Sequence, residues 1–247
     1  MAKPAKNDRQ KVIDDIRSKQ KGAERNRGLA IVGVCVVVAV LILAYPLYGI
    51  IKDKKQQSEF ESMNLDSIGA PASVCQDVTT KPATGNQQHV EPGTPIPYED
   101  APPAFGTHYN MWDTIERKMY TAEDRPDLGE LVHNLEHGFT ILWYDETIAK
   151  DDKAMNELEG IAAKFDTDDD NYRNKFKIVP WTSEDENGAS FPDGQHIALT
   201  HWSVGGDASD TSKQVGVWQY CSAVSGAAVY DFVQEYPYTD SPEPNAI

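Results

Sequence analysis

Cysteine is nearly missing from this chain: three residues in 247, with no Cys-x-x-Cys spacing, so a dithiol redox centre is not expected. Cys35 lies inside an apolar run, which leaves Cys75 and Cys221 as an even pair. In an oxidising compartment such a pair reads as a disulfide closing a long loop; a copper site built on both thiols is the alternative. Positive charge is also scarce beyond residue 55, where 11 basic side chains face 34 acidic ones, a net of −23. That balance repels nucleic acid and anionic lipid, so no nucleic-acid partner is expected. It suits a soluble exterior domain that attracts cations or a basic protein surface. No internal repeat is visible.

Charge is wholly lacking from residues 29–51, a run of Val, Ile, Leu and Ala between Arg27 and Lys52. About 20 apolar residues cross a bilayer's hydrocarbon core, so one transmembrane helix is expected. A cleaved signal peptide would have a shorter apolar region, roughly 7–15 residues, and a small-residue cleavage site. Residues 1–27 hold nine Lys or Arg against four acids, which favours a cytoplasmic N-terminus in a single-pass protein of the cell membrane. The expected organisation is a basic cytoplasmic tail (1–27), the membrane helix (28–52), a stalk (53–73), an exterior domain (74–240) and a flexible tail (241–247).

Residues 76–107 carry Pro82, Pro92, Pro95, Pro97, Pro102 and Pro103, and predict an extended segment without a core of its own. Leu128, Leu131, Val132 and Leu135 recur at helical spacing, so residues 127–137 read as a short helix capped by Gly138. Residues 139–144 follow as a strand, 151–165 as an amphipathic helix, 176–181 and 196–202 as strands, and 224–236 as a closing helix. A strand–helix–strand unit favours a parallel pair, and the third strand can join antiparallel. The expected fold class is therefore α/β: one membrane helix, then a small exterior domain with a mixed sheet of three to four strands.

The chemistry concentrates in His89, His108, His133 and His137, four of six histidines within one fifty-residue span. His133 and His137, four apart on a helix, share one face. His108, delivered by the Pro-rich segment, supplies a third imidazole, and three histidines suit zinc or copper. Weaker candidates are Glu136 and, as soft ligands for Cu(I), Met111 and Met119. His133-x-x-Glu136-His137 also matches an inverted zincin pattern, which would make Glu136 the general base of a zinc-dependent hydrolase. Against both stands a structural reading, in which His137 complements the helix C-terminus and His133 packs in the core. The acidic run at residues 166–171 begins like a calcium loop but lacks its glycine, and Lys177 occupies the place of its bidentate acid. Ser203-Val-Gly205-Gly206 lacks the strand–turn–helix context of a nucleophile.

Pro102-Pro103-x-x-Gly106-x-His108 and Val132-His133-Asn134-Leu135-Glu136-His137-Gly138 resemble a bacterial family of membrane-anchored proteins known only as a domain of unknown function. The similarity covers roughly residues 74–236. The family pattern has Pro-x-x-Ser-Gly-x-His, whereas Ala104 and Phe105 precede the glycine here. The resemblance implies a membrane anchor and an exported α/β domain with the four histidines at motif positions. It implies no activity, and it leaves His196 and His201 outside the motif. The reading that follows is a non-enzymatic accessory protein that binds a transition metal and docks on a membrane complex, such as a copper-bearing terminal oxidase or a respiratory supercomplex. A purely structural accessory subunit is the alternative.

Overall fold

A computed structural model describes residues 6–83, 87–166, 171–185, 189–207 and 209–246. The chain divides into two units, Met1–Lys55 and Gln56–Ile247. Helix α1 (Lys6–Ser62) is uninterrupted through the basic tail, the apolar run and most of the stalk. Its apolar part is long and hydrophobic enough to cross a membrane, and the side chains of residues 29–44 lie exposed. Four residues of the acidic run, 167–170, fall outside the described residues.

The second unit is built on a five-stranded mixed sheet in the order β1 (Thr79–Pro82), β7 (Val215–Cys221), β6 (Ile197–Ser203), β4 (Thr140–Tyr144), β5 (Phe176–Pro180). As the strand–helix–strand pattern requires, β4 and β5 run parallel, with Thr140 opposite Phe176, and β6 pairs antiparallel with β4. The sheet is wider than the expected three or four strands. The additions are β7, antiparallel to β6, and the edge strand β1. Neither announces itself in sequence: β1 is exposed throughout and ends in proline, and β7 carries Gly216 near its start. A Cβ at Gly216 would lie 2.3 Å from the Phe105 ring and 2.6 Å from Trp218, so glycine there admits the Pro-rich segment against the sheet.

Residues alternate between two cores, as a strand's period of two demands. Leu142, Tyr144, Ile178 and Leu199 join Leu158, Ile161, Ala228 and Phe232 of α4 (Asp152–Phe165) and α5 (Gly226–Glu235) on one face. Ile141, Trp143, Val179 and Ala198 join Leu131, Val132 and Leu135 of α2 (Leu128–Glu136) on the other, with Tyr98 and Phe105 of the Pro-rich segment packed against them. The result is three layers. A short helix, α3 (Glu146–Ala149), links β4 to α4 and is capped by Asp145. The strands β2 (His89–Val90) and β3 (His108–Tyr109) pair parallel in a separate ribbon beside α2.

Lys177 points to the α2 face and is fully buried, which a strand lysine permits only when its charge is matched. It donates to Asp113, and to the Thr114 carbonyl at 2.6 Å. Tyr120 donates to the same carboxylate. Asp113→Ala should therefore cost about 3–5 kcal/mol, because the ammonium stays buried without its partner. Urea unfolding of the two proteins measures the difference, and a loss below about 1 kcal/mol would mean that the pair is solvated.

Residues 241–246, expected as a flexible tail, are instead held down. Lys175 is almost fully buried, and its Nζ donates to the carbonyls of His137, Pro244 and Ala246 at 2.6–2.8 Å. Ser241 is fully buried, and the backbone N–H of Glu243 donates to the Glu136 carbonyl at 2.9 Å. The lysine, carried by the loop before β5, supplies the donors that a short polar segment needs in order to dock.

Candidate metal centre

Each residue of the His-Asn-Leu-Glu-His-Gly block has a separate task. Leu135 enters the core. Asn134 brackets the backbone of Asp113, donating to its carbonyl at 2.7 Å and accepting from its N–H at 3.1 Å. That grip holds Trp112, whose ring lies 5.1 Å from both His133 and His137. Gly138 turns the chain with φ of 90°, and any Cβ there would strike the Tyr238 carbonyl at 2.4 Å. At the other end of α2, Gly129 leaves room for Tyr109, whose ring would be 2.7 Å from an added Cβ. Helix and ribbon therefore close on each other, and β3 delivers His108 against α2.

His108 and His89 lie opposite each other in the β2–β3 register. Their Nε2 atoms are 3.2 Å apart. Glu136 Oε2 sits 3.0 Å from His108 Nε2 and 3.5 Å from His89 Nε2. The His133 ring is 4.8 Å from those of both His89 and His108. One donor atom from each of His89, His108, His133 and Glu136 falls within 4.8 Å of all the others. Three of the four are buried; His89 alone is partly open to solvent.

The backbone fixes which nitrogen each buried ring offers. Carbonyl oxygens only accept, so His108 Nδ1 must donate to the Gly106 carbonyl at 2.7 Å, and His133 Nδ1 to the Tyr109 carbonyl at 2.6 Å. In the neutral rings Nε2 is then a lone pair aimed inward, with Nδ1 held by a backbone carbonyl as is usual for metal-binding histidine. Gly106, with φ of 135°, makes the short Gly-x-His return possible. Both carboxylate oxygens of Glu136 are buried without a directed hydrogen bond. Burial pushes the Glu136 carboxyl up, but His108, Gln87 and His89 outweigh it and hold it below the usual range. A carboxylate faced by imidazole nitrogens is a group of donors that could hold a metal ion.

The sequence expectations divide here. His89, His108 and His133 come together, and Glu136, a weaker candidate, stands at their centre. His137 meets His133 edge-on at 4.4 Å but belongs to a second group, with Glu136 and Glu243. Helical spacing puts the two rings side by side, while the ribbon meets only the turn that carries His133. Met119 packs into the core on the far face of the sheet, and Met111 is 44% exposed. Cys75 and Cys221 are bonded to each other, so neither offers a thiol to copper, and the free Cys35 lies in α1. His196 pairs with Asp145 at 2.8 Å, and His201 lies between the carbonyls of Phe139 and Asp240, both away from the cluster. Glu243 was missed; nothing in sequence marks an acid more than a hundred residues past the motif.

Burial, opposed by the Tyr109 carbonyl, holds His133 below its ordinary pKa. Burial and then His133 depress His137 to about 3, and burial lowers His201 against its two carbonyl bonds. With folded pKa depressed, each is protonated first in the unfolded chain. Stability is thus complete above about pH 6.5 and falls as pH drops toward the folded values, by up to about 1.4 kcal/mol per unit for each histidine. Urea midpoints of the metal-free chain should decline steadily from pH 7 to 5. A flat profile would show that the rings are already protonated in the fold.

A family model described as a protein of unknown function matches residues 89–247. No curated protein and no solved structure matches the chain.

Proposed function

From a chain that belongs to this family, DUF3105, whose description assigns no activity, we propose a membrane-tethered protein whose exterior domain binds a divalent transition metal through His89, His108, His133 and Glu136. One observation carries the reading: the Nδ1 atoms of His108 and His133 are committed to backbone carbonyls, so the remaining lone pairs converge on a buried carboxylate. Three imidazoles and one carboxylate favour zinc over cuprous copper, which prefers thiolate and thioether donors. The α1 helix supplies the tether by length and composition, and the basic tail supports a cytoplasmic N-terminus.

A hydrolase is the weaker reading. In the inverted zincin arrangement both helical histidines hold the ion and the glutamate stays free as base. Here His133 and His137 fall in different groups, and Glu136 belongs to both. Two grooves, one along Thr94–Thr107 and one beside Lys175 and Tyr238, are lined by none of the four cluster residues.

The test is elemental analysis of the full chain, extracted in detergent and passed through a desalting column. Zinc or another divalent transition metal at one equivalent or more supports the reading. Metal below 0.1 equivalents (about one molecule in ten), after incubation with zinc as well, makes the cluster a hydrogen-bonded structural device. The partner class we propose, a membrane respiratory complex, is supported by the single span and the acidic exterior, which steers association by charge. Elution alone in every mild detergent tried would remove it.

A further inference from the structure

We propose that the domain holds two cations, with Glu136 bridging the first site to a second made by His137 and Glu243. This inference rests on the metal-binding reading above. Donor atoms of Glu136, His137 and Glu243 lie within 4.8 Å of one another. Glu136 is thus the member common to both groups. Its two oxygens are both buried, and Oε2 stands 3.0–3.5 Å from the His108 and His89 nitrogens. A carboxylate shared by two ions uses both oxygens, and bridged ions typically sit about 3.5–4 Å apart.

His137 gives the second, independent observation. It is 2% exposed, and its Nδ1 is buried with no hydrogen-bond partner. Among the described residues no hydrogen bond claims either ring nitrogen, so Nε2, the nitrogen that faces Glu243, is left able to offer its lone pair to a cation. His137 Nε2 stands 3.7 Å from Glu243 Oε2, beyond hydrogen-bond range. Two donors on one ion, with bonds of about 2 Å, lie roughly 3.3 Å apart at tetrahedral angles, so a small adjustment seats a cation between them.

Glu243 is placed by its backbone. Its N–H is bonded to the Glu136 carbonyl, and Lys175 grips the carbonyls of Pro244 and Ala246 just beyond it. The side chain itself is 49% exposed. The first site is therefore mostly enclosed and the second is open on one side, so the second cation should exchange faster.

The test counts zinc on the detergent-solubilised full chain, stripped with chelator, reloaded with excess Zn²⁺ and desalted. The expected result is two equivalents for the unaltered chain and one for His137→Ala and for Glu243→Gln. The second variant alters an exposed side chain and leaves the fold intact, so it decides the matter if His137→Ala fails to fold. One equivalent in the unaltered chain, unchanged by either variant, overturns the second site and leaves the first standing. Two equivalents in Glu243→Gln overturn the role of Glu243. No zinc in the unaltered chain overturns both readings together.

Discussion

Glu136→Gln should lower zinc affinity by on the order of 100-fold or more while changing the stability of the metal-free domain only slightly. The affinity loss follows from the position of Glu136 among the donors, since even outer-shell partners of a metal site are each worth 10–100-fold. The small effect on stability follows from two opposed terms. Burial disfavours the native carboxylate, while His108, Gln87 and His89 favour it and prevail. A glutamine of the same shape removes both terms together, and its amide can donate to the inward-facing imidazole nitrogens. The structural alternative predicts a large loss. If Glu136 existed to pair with a protonated His108, the same change would break a buried ion pair and cost about 3–5 kcal/mol. Competition titration against a chromogenic chelator gives the affinity, and urea unfolding in chelator gives the stability. Tighter binding, or destabilisation beyond 2 kcal/mol (roughly half of that ion-pair cost), would defeat the metal assignment.

The largest single effect on stability should come from the Cys75–Cys221 disulfide, whose cysteines are separated by 146 positions. Chain-entropy reasoning assigns about 5 kcal/mol to a loop of that length. The bond fastens the end of β7 to the segment leading into β1, and it is flanked by backbone bonds from Gln76 to Tyr220 and from Ser222 to Val74. Those neighbours hold the native geometry when the bond is cut, so most of the loss falls on the unfolded side of the balance. For a domain of this size, about 5 kcal/mol corresponds to roughly 10–20 °C in Tm. Calorimetry of Cys75→Ser/Cys221→Ser in the full chain, with chelator throughout, should show it. A shift under 3 °C (about 1 kcal/mol or less) would mean that the unfolded chain is already compact.

What could be read from the sequence was the local part of the design. The α2 helix, its Gly138 stop and the parallel β4–β5 pair follow from periodicity or spacing along a short stretch; the same reasoning put His108, His133 and His137 together, whereas His89 stands beside His108 and His133 in the place expected for His137. The rest depends on contacts between distant segments. The strand β7 is recognised by its partner β6, and its Gly216 is explained only by the Phe105 ring that rests there. Glu136 read as a base because the motif pattern places His133 and His137 on one ion. The ribbon carrying His89 and His108 approaches from the other side and turns the glutamate into the hub. Lys175 looks like an ordinary charged residue until the carbonyls of Pro244 and Ala246 are seen to reach it.

His89 differs from its companions in one respect with a consequence for timing. It sits on a two-residue strand with its side chain 39% exposed, whereas His108, His133 and Glu136 are enclosed. On the proposed reading, an ion there would be thermodynamically secure and kinetically approachable from one direction only. A donor group from another protein could take the place of His89 without opening the core, so the ion would pass by ligand substitution and never have to be free in solution. Affinity and residence time would then be set by different residues: the enclosed three fix how tightly the ion is held, and His89 fixes how readily it is handed on.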